Sequence, residues 1–180
     1  GSQAIAGTGC HLLALNMNRE TYSIMHMGGE GVNWLGIRPF VTTEHMFQNL
    51  GDGTYIHSGI LGLRQALADK ATMTFKILFN DAVAMTGGQP LEGDLTVPVL
   101  VGQVRAEGAE HIAVVTDDPA KYGSGTAFPS GVSVYPRQQL DQVQRNFREF
   151  SGVSVIVYDQ TCAAELRRRR KRGIVPTPSK

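Results

Sequence analysis

A chain of 180 residues with 42% hydrophobic content suits one large domain with a buried apolar core. No uninterrupted apolar stretch approaches the ~20 residues needed to cross a bilayer, and no charged-then-apolar signal segment opens the sequence, so the expectation is a soluble, cytoplasmic protein. The formal charge of +1 hides an asymmetry, because Arg167 to Arg172 hold six of the 17 basic residues and leave 11 basic against 16 acidic, a body of about −5.

In chain order, Tyr22 to Met27 reads as a buried strand, followed by Gly28-Gly29 and a helical turn through Trp34. Phe47 to Leu50 is a short strand, and His57 to Ala68 is an amphipathic helix with Ile60, Leu61, Leu63 and Leu67 apolar. Thr72 to Phe79 is the next strand, Val97 to Glu107 a helix, His111 to Thr116 a strand and Gly131 to Tyr135 a short strand. Gln138 to Phe150 is a polar-faced helix, and Val153 to Tyr158 a strand of nearly continuous Val and Ile. Strands separated by helices of this length predict an α/β fold, a mainly parallel sheet with helices on both faces. Continuous apolar strands fit burial on both sides. Two glycine- and proline-rich loops, Gly87 to Pro98 and Asp117 to Ser130, interrupt the pattern.

The candidate site lies at two strand ends. Asp52 sits within Gly51-Asp52-Gly53, and Asn80 follows after a gap of 26 residues. Two oxygen-bearing side chains so placed suit magnesium, which takes one or two protein side chains and leaves the rest of its octahedron to phosphates and water. Gly51 and Gly53 are expected to permit backbone angles and close approach that a side chain would block. The stretch from Tyr55 to Lys70 can start a helix whose free N–H groups face an anion. In parallel sheets ligands sit beyond the carboxyl ends of the strands, where both residues fall. A purely structural reading stays open, with Asp52 capping a helix and Asn80 ending a strand. Asp81 competes for the ligand role.

Neither a GxxxxGK[ST] string nor a GxGxxG turn with its downstream acid occurs, which disfavours mononucleotide and nicotinamide sites. Two cysteines, Cys10 and Cys162, are too few for a four-thiolate iron–sulfur site. His11, His26 and His57 lie near the site in sequence and read as packed or hydrogen-bonding residues rather than catalysts; His45 and His111 have no special case. The basic run would serve a nucleic-acid module, but the acidic body and the lack of interleaved aromatics disfavour that reading.

Gly9-Cys10-His11, His26-Met27-Gly28-Gly29-Glu30-Gly31, Phe47 to Thr54, Asn80 to Pro90 and Tyr158-Asp159-Gln160-Thr161-Cys162 together, across roughly residues 4 to 173, resemble the large bacterial indolepyruvate ferredoxin oxidoreductases. The Asp52–Asn80 spacing itself resembles the cofactor signature of thiamine diphosphate enzymes. The resemblance implies a diphosphate-binding module over residues 4–166, with 167–180 a basic tail or linker to absent domains. It implies magnesium held by Asp52, Asn80 and the Ala82 carbonyl. The implied cofactor-binding set is Cys10, Met27, Gly28, Gly29, Gly51, Asp52, Gly53, Thr54, Asn80, Ala82, Met85 and Thr86, with Gly87 and Gln89 as further donors. One departure is Phe79, where many relatives carry a second polar residue.

The implied activity is oxidative decarboxylation of an aryl 2-oxoacid to an acyl-coenzyme A, with ferredoxin as electron acceptor and iron–sulfur clusters in absent domains or partners. Glu30 is not assigned as the carboxylate that activates the aminopyrimidine, because that residue generally comes from a separate pyrimidine-binding domain. Such a domain or subunit is an expected partner, in a homo-oligomer, and the chain is expected to be a fragment or detached domain without turnover alone. A non-redox thiamine diphosphate decarboxylase or synthase component is the alternative.

Overall fold

The computed structural model describes residues 2–91, 93–123 and 125–177. Glu92 in the first glycine-rich loop, Ser124 in the second and the last three residues of the expected tail lie outside them. Seven strands form one sheet in the order β2-β1-β3-β4-β9-β7-β8: β1 (Gln3–Ala6), β2 (Thr21–Ile24), β3 (Met46–Gly51), β4 (Met73–Phe79), β7 (His111–Thr116), β8 (Ser133–Pro136) and β9 (Val153–Asp159). Every neighbouring pair is parallel. β5 (Ala82–Val83) and β6 (Gln89–Pro90) form a separate antiparallel hairpin. The α/β expectation holds.

Alternation along β3 and β4 sorts side chains to two faces. Ile5, Leu50, Phe75, Ile77, Val155 and Val114 share one face with Trp34 of α1 (Val32–Ile37), Leu63 of α3 (Ile60–Ala68) and Leu100 and Val104 of α4 (Val97–Ala106). On the other face Ala113, Val115 and Ile156 meet Val143 and Phe147 of α5 (Leu140–Phe147). Helices therefore cover both faces. Thr96 caps α4 by accepting from the Val99 N–H at 3.4 Å.

The expectation that Tyr22 to Met27 forms a buried strand needs correction. β2 is the sheet edge, its pattern alternates, and Tyr22 and Ile24 are largely exposed. An apolar run on an edge strand has only one covered face, which composition does not reveal.

Strand ends β1, β3, β4 and β9 are adjacent in the sheet, and the order reverses between β1 and β3. Gly7 to Cys10, Asp52, Asn80 and Gln160 to Cys162, scattered in sequence, thus come to one end of the molecule. Such a reversal leaves a crevice because the connections on either side leave in opposite directions.

Candidate functional site

β3 delivers the chain to Gly51, and helical segments follow without a break: α2 (Asp52–Thr54), a π-helical turn (Tyr55–Gly59) and α3. π-turns recur at functional sites. Asp52 is 2% exposed, and both carboxylate oxygens are occupied by backbone donors. Oδ1 accepts from the Gly53 N–H at 2.8 Å, and Oδ2 accepts from the N–H groups of Asn80 at 2.7 Å and Asp81 at 2.8 Å. One side chain thus ties the end of β3 to the end of β4. Burial pushes the Asp52 carboxyl above its usual range, and the three N–H groups do not overcome that.

Asn80 supplies the complementary signal. Its Oδ1 is buried with no hydrogen-bond partner, and an orphaned acceptor of this kind calls for an explanation. Ala82 is paired in the hairpin with Pro90, which has no N–H to offer its carbonyl. A carboxylate, an amide oxygen and a carbonyl form a hard donor set that could hold a magnesium-like cation. No group of three or more His, Cys, Asp and Glu side chains placed to hold a metal occurs among the described residues, so any cation here draws on amide and backbone oxygens. Asp81 takes the left-handed φ of +56° and pairs with Arg169. Its carboxylate is therefore engaged away from the competing ligand role.

These groups line a cleft of about 910 Å³ that also takes in Cys10, Met27, Gly51, Gly53, Thr54, Met85 and Thr86. Gly28 and Gly29 are absent from its lining, so the structure does not bring them to the cleft with the others. Gly28 has φ +90°, and a Cβ there would stand 2.8 Å from the Ser58 Oγ. Gly29 packs on the His26 ring. The reason expected for Gly51 also changes: its φ of −81° is ordinary, and a Cβ would meet nothing within 4 Å. Gly51 leaves open space over the strand end rather than relieving a clash. A second depression, around His45 and Arg148, lies away from Asp52.

His11 and His57 line the cleft, and His26 does not. The His11 Nε2 accepts from the Gly7 N–H at 3.0 Å, which fixes it as a neutral ring, and burial takes its pKa down to about 4. Glu30 is fully buried away from the cleft, with Oε2 accepting from the Gly28 N–H at 2.7 Å. It braces the 26–31 loop. Gln48, to which the sequence assigned no role of its own, braces the same loop from β3, its Oε1 accepting from the Gly31 N–H at 2.9 Å.

Sequence reasoning also missed Arg137, Tyr158 and Gln160 as cleft residues. Arg137 follows β8 and gave no motif; the others lay within a quoted segment whose strand-end position was the available signal.

The fold is one found in thiamine diphosphate-dependent enzymes. A structure of 2-oxoglutarate:ferredoxin oxidoreductase from Magnetococcus marinus superposes with a TM-score of 0.68 at 15% identity, over 91% of this chain and 55% of that one. A putative thiamin diphosphate-dependent enzyme from Mycobacterium smegmatis gives 0.57 at 17% identity, over 89% and 29%.

In sequence, the chain is similar to indolepyruvate oxidoreductase subunit IorA. It is 30% identical to that of Archaeoglobus fulgidus over 164 residues, and 29% identical to that of Thermococcus kodakarensis over 126. These alignments cover 91% and 69% of this chain but 25% and 18% of the relatives, so the chain spans about a quarter or less of their length. No protein-family model matches. The resemblance read from the residues is borne out.

Proposed function

We propose that this chain is the thiamine diphosphate- and magnesium-binding portion of a 2-oxoacid ferredoxin oxidoreductase of the indolepyruvate type. The observation that carries this reading is the orphaned Asn80 Oδ1 beside the buried Asp52 carboxylate, at adjacent strand ends in one cleft. Magnesium would be held by the Asp52 and Asn80 side chains and the Ala82 carbonyl. Cys10, Met27, Gly51, Gly53, Thr54, Met85 and Thr86 would contact the cofactor directly, while Gly28 and Gly29 shape the neighbouring loop. When bound, thiamine diphosphate supplies the nucleophilic carbon and the electron sink that 2-oxoacid decarboxylation needs. The chain's own part is to hold the cation, to neutralise the buried Asp52 charge against it, and to present a dry apolar wall to the ring system.

The module spans residues 4–166 in this reading, and 167–180 leads toward further domains, although α6 (Ala163–Lys171) runs through that boundary. Met27, Ile56, Leu61 and Met85 are each more than 40% exposed, an apolar surface suited to a pyrimidine-binding domain or subunit. That partner would supply the activating glutamate and part of the pocket for an aryl 2-oxoacid, in a homo-oligomer acting in the cytoplasm. Clusters, ferredoxin and coenzyme A would belong to the full assembly, since two cysteines cannot form a four-thiolate cluster.

Calorimetric titration with thiamine diphosphate tests the reading: heat of binding that requires magnesium supports it, and binding indifferent to magnesium contradicts it. Viologen reduction by the full assembly separates it from a non-redox decarboxylase or synthase.

A further inference from the structure

The basic run has no role in the function above, yet two of its side chains point inward. α6 carries Arg168 and Arg169 on the face toward the hairpin that follows Asn80. Arg168 donates to the Ala84 carbonyl at 2.8 Å, and Arg169 pairs with the Asp81 carboxylate. Both also contact Glu165, at 3.3 and 3.1 Å. Burial pushes the Glu165 carboxyl up, and the two guanidiniums reverse this and hold it below its usual range. The return of the hairpin presses on the same group: Gly88 has φ +79°, and a Cβ there would stand 1.9 Å from the Glu165 Oε2. α6 thus touches the segment at Asp81, Ala84 and Gly88.

That segment is held only in part by its own packing. Val83 and Met85 are exposed, and the hairpin ladder is two residues long on each side. Its other ties are the N–H bonds from Asn80 and Asp81 to Asp52, the buried Ala82 and Ala84, and local bonds from the Gly88 N–H to the Val83 carbonyl and between Thr86 and Gln89. A lone exposed ion pair would contribute little. Here Glu165 is shared by two arginines and almost wholly buried, so the network is less screened and its members are already ordered.

We propose that Arg168 and Arg169 are positioning residues for the cation site, holding residues 80–88 so that the Asn80 Oδ1 and the Ala82 carbonyl converge on Asp52. This rests on the reading of Asp52 and Asn80 as that site. The basic run is then divided by function: Arg168 and Arg169 serve the cofactor loop, and the expectation of a basic tail or linker beyond residue 166 is corrected for these two residues.

The test measures hydrogen exchange of residues 80–88 without ligand, and magnesium affinity by calorimetry at saturating thiamine diphosphate, on the full 180-residue chain. Arg169→Ala should speed exchange in the segment and weaken magnesium binding about fivefold, the size of a coupling of roughly 1 kcal/mol. Asp81→Asn, which keeps a side chain tolerant of positive φ and leaves α6 intact, should do the same. The double variant should be no worse than either, and Arg169→Lys should recover part of the loss. Unchanged exchange and affinity in Arg169→Ala, with binding lost in Asp52→Ala, overturns the positioning role alone. Wild-type affinity in Asp52→Ala, or no binding by the wild type, removes the cation-site reading and the positioning role together.

Discussion

Asp52→Asn separates the cation from the fold at this site. The carboxylate accepts three backbone N–H bonds, one at Oδ1 and two at Oδ2. An amide can accept at one end only. With its oxygen toward Asn80 and Asp81, its nitrogen faces the Gly53 N–H and leaves one buried donor unmet, at about 1–3 kcal/mol. Against that, the variant no longer buries a carboxylate whose charged form the site disfavours. The two effects oppose each other, so folding stability should change by no more than about 2 kcal/mol. Magnesium affinity has no such compensation, because in the proposed set of Asp52, Asn80 and the Ala82 carbonyl the cation would lose the one anionic ligand. Even outer-shell changes cost 10–100-fold in metal affinity, so a loss of at least about 100-fold is expected. Calorimetry at fixed thiamine diphosphate measures the affinity, and thermal unfolding checks the fold. A folded variant that binds magnesium within threefold of wild type would refute the assignment of Asp52.

Gly88→Ala meets both a left-handed φ and the Glu165 carboxylate, and should destabilise the chain by about 2 kcal/mol or more in thermal unfolding. His11 and His45, each lowered to about 4 by burial, stay neutral in the fold while the unfolded chain protonates near 6.5. Their contribution is therefore intact above about pH 6.5 and is lost as pH falls toward 4, with a slope approaching about 1.4 kcal/mol per unit per histidine. Denaturant unfolding across that range should show the slope, and His45→Gln should reduce it. Asp52 and Glu30, whose carboxyls burial raises, act in the opposite sense: their contribution is lost as pH rises through their folded values. The exposed Cys10 lines the cleft with a thiol that burial and then Cys162 push up. Iodoacetamide should modify Cys10 slowly at neutral pH, and more slowly with thiamine diphosphate and magnesium; equal rates by mass spectrometry would remove Cys10 from the cofactor surface.

The interior strands were legible because Thr72 to Phe79 and Val153 to Tyr158 are runs rich in apolar and β-compatible residues, broken only by isolated polar residues such as Lys76 and Ser154, and both are central in the sheet. Strand order was not, since pairing of β4 with β9 joins residues about 80 apart. β1 escaped notice as four residues, Gln-Ala-Ile-Ala, with too little pattern to mark a strand. α6 escaped because its helix is organised by ion pairs with Glu165 and Asp81 rather than by an apolar stripe. The Asp52–Asn80 pairing was visible as spacing after two strands. The bond between them was not, because the Asp52 carboxylate reaches the Asn80 backbone, which no side-chain motif encodes.

A crystal structure with thiamine diphosphate and magnesium is the most direct measurement. One cation should lie about 2.1 Å from an Asp52 carboxylate oxygen, the Asn80 Oδ1 and the Ala82 carbonyl, with diphosphate oxygens and water completing its octahedron. A cation bound elsewhere, or a diphosphate that leaves the Asn80 Oδ1 unpaired, would contradict this.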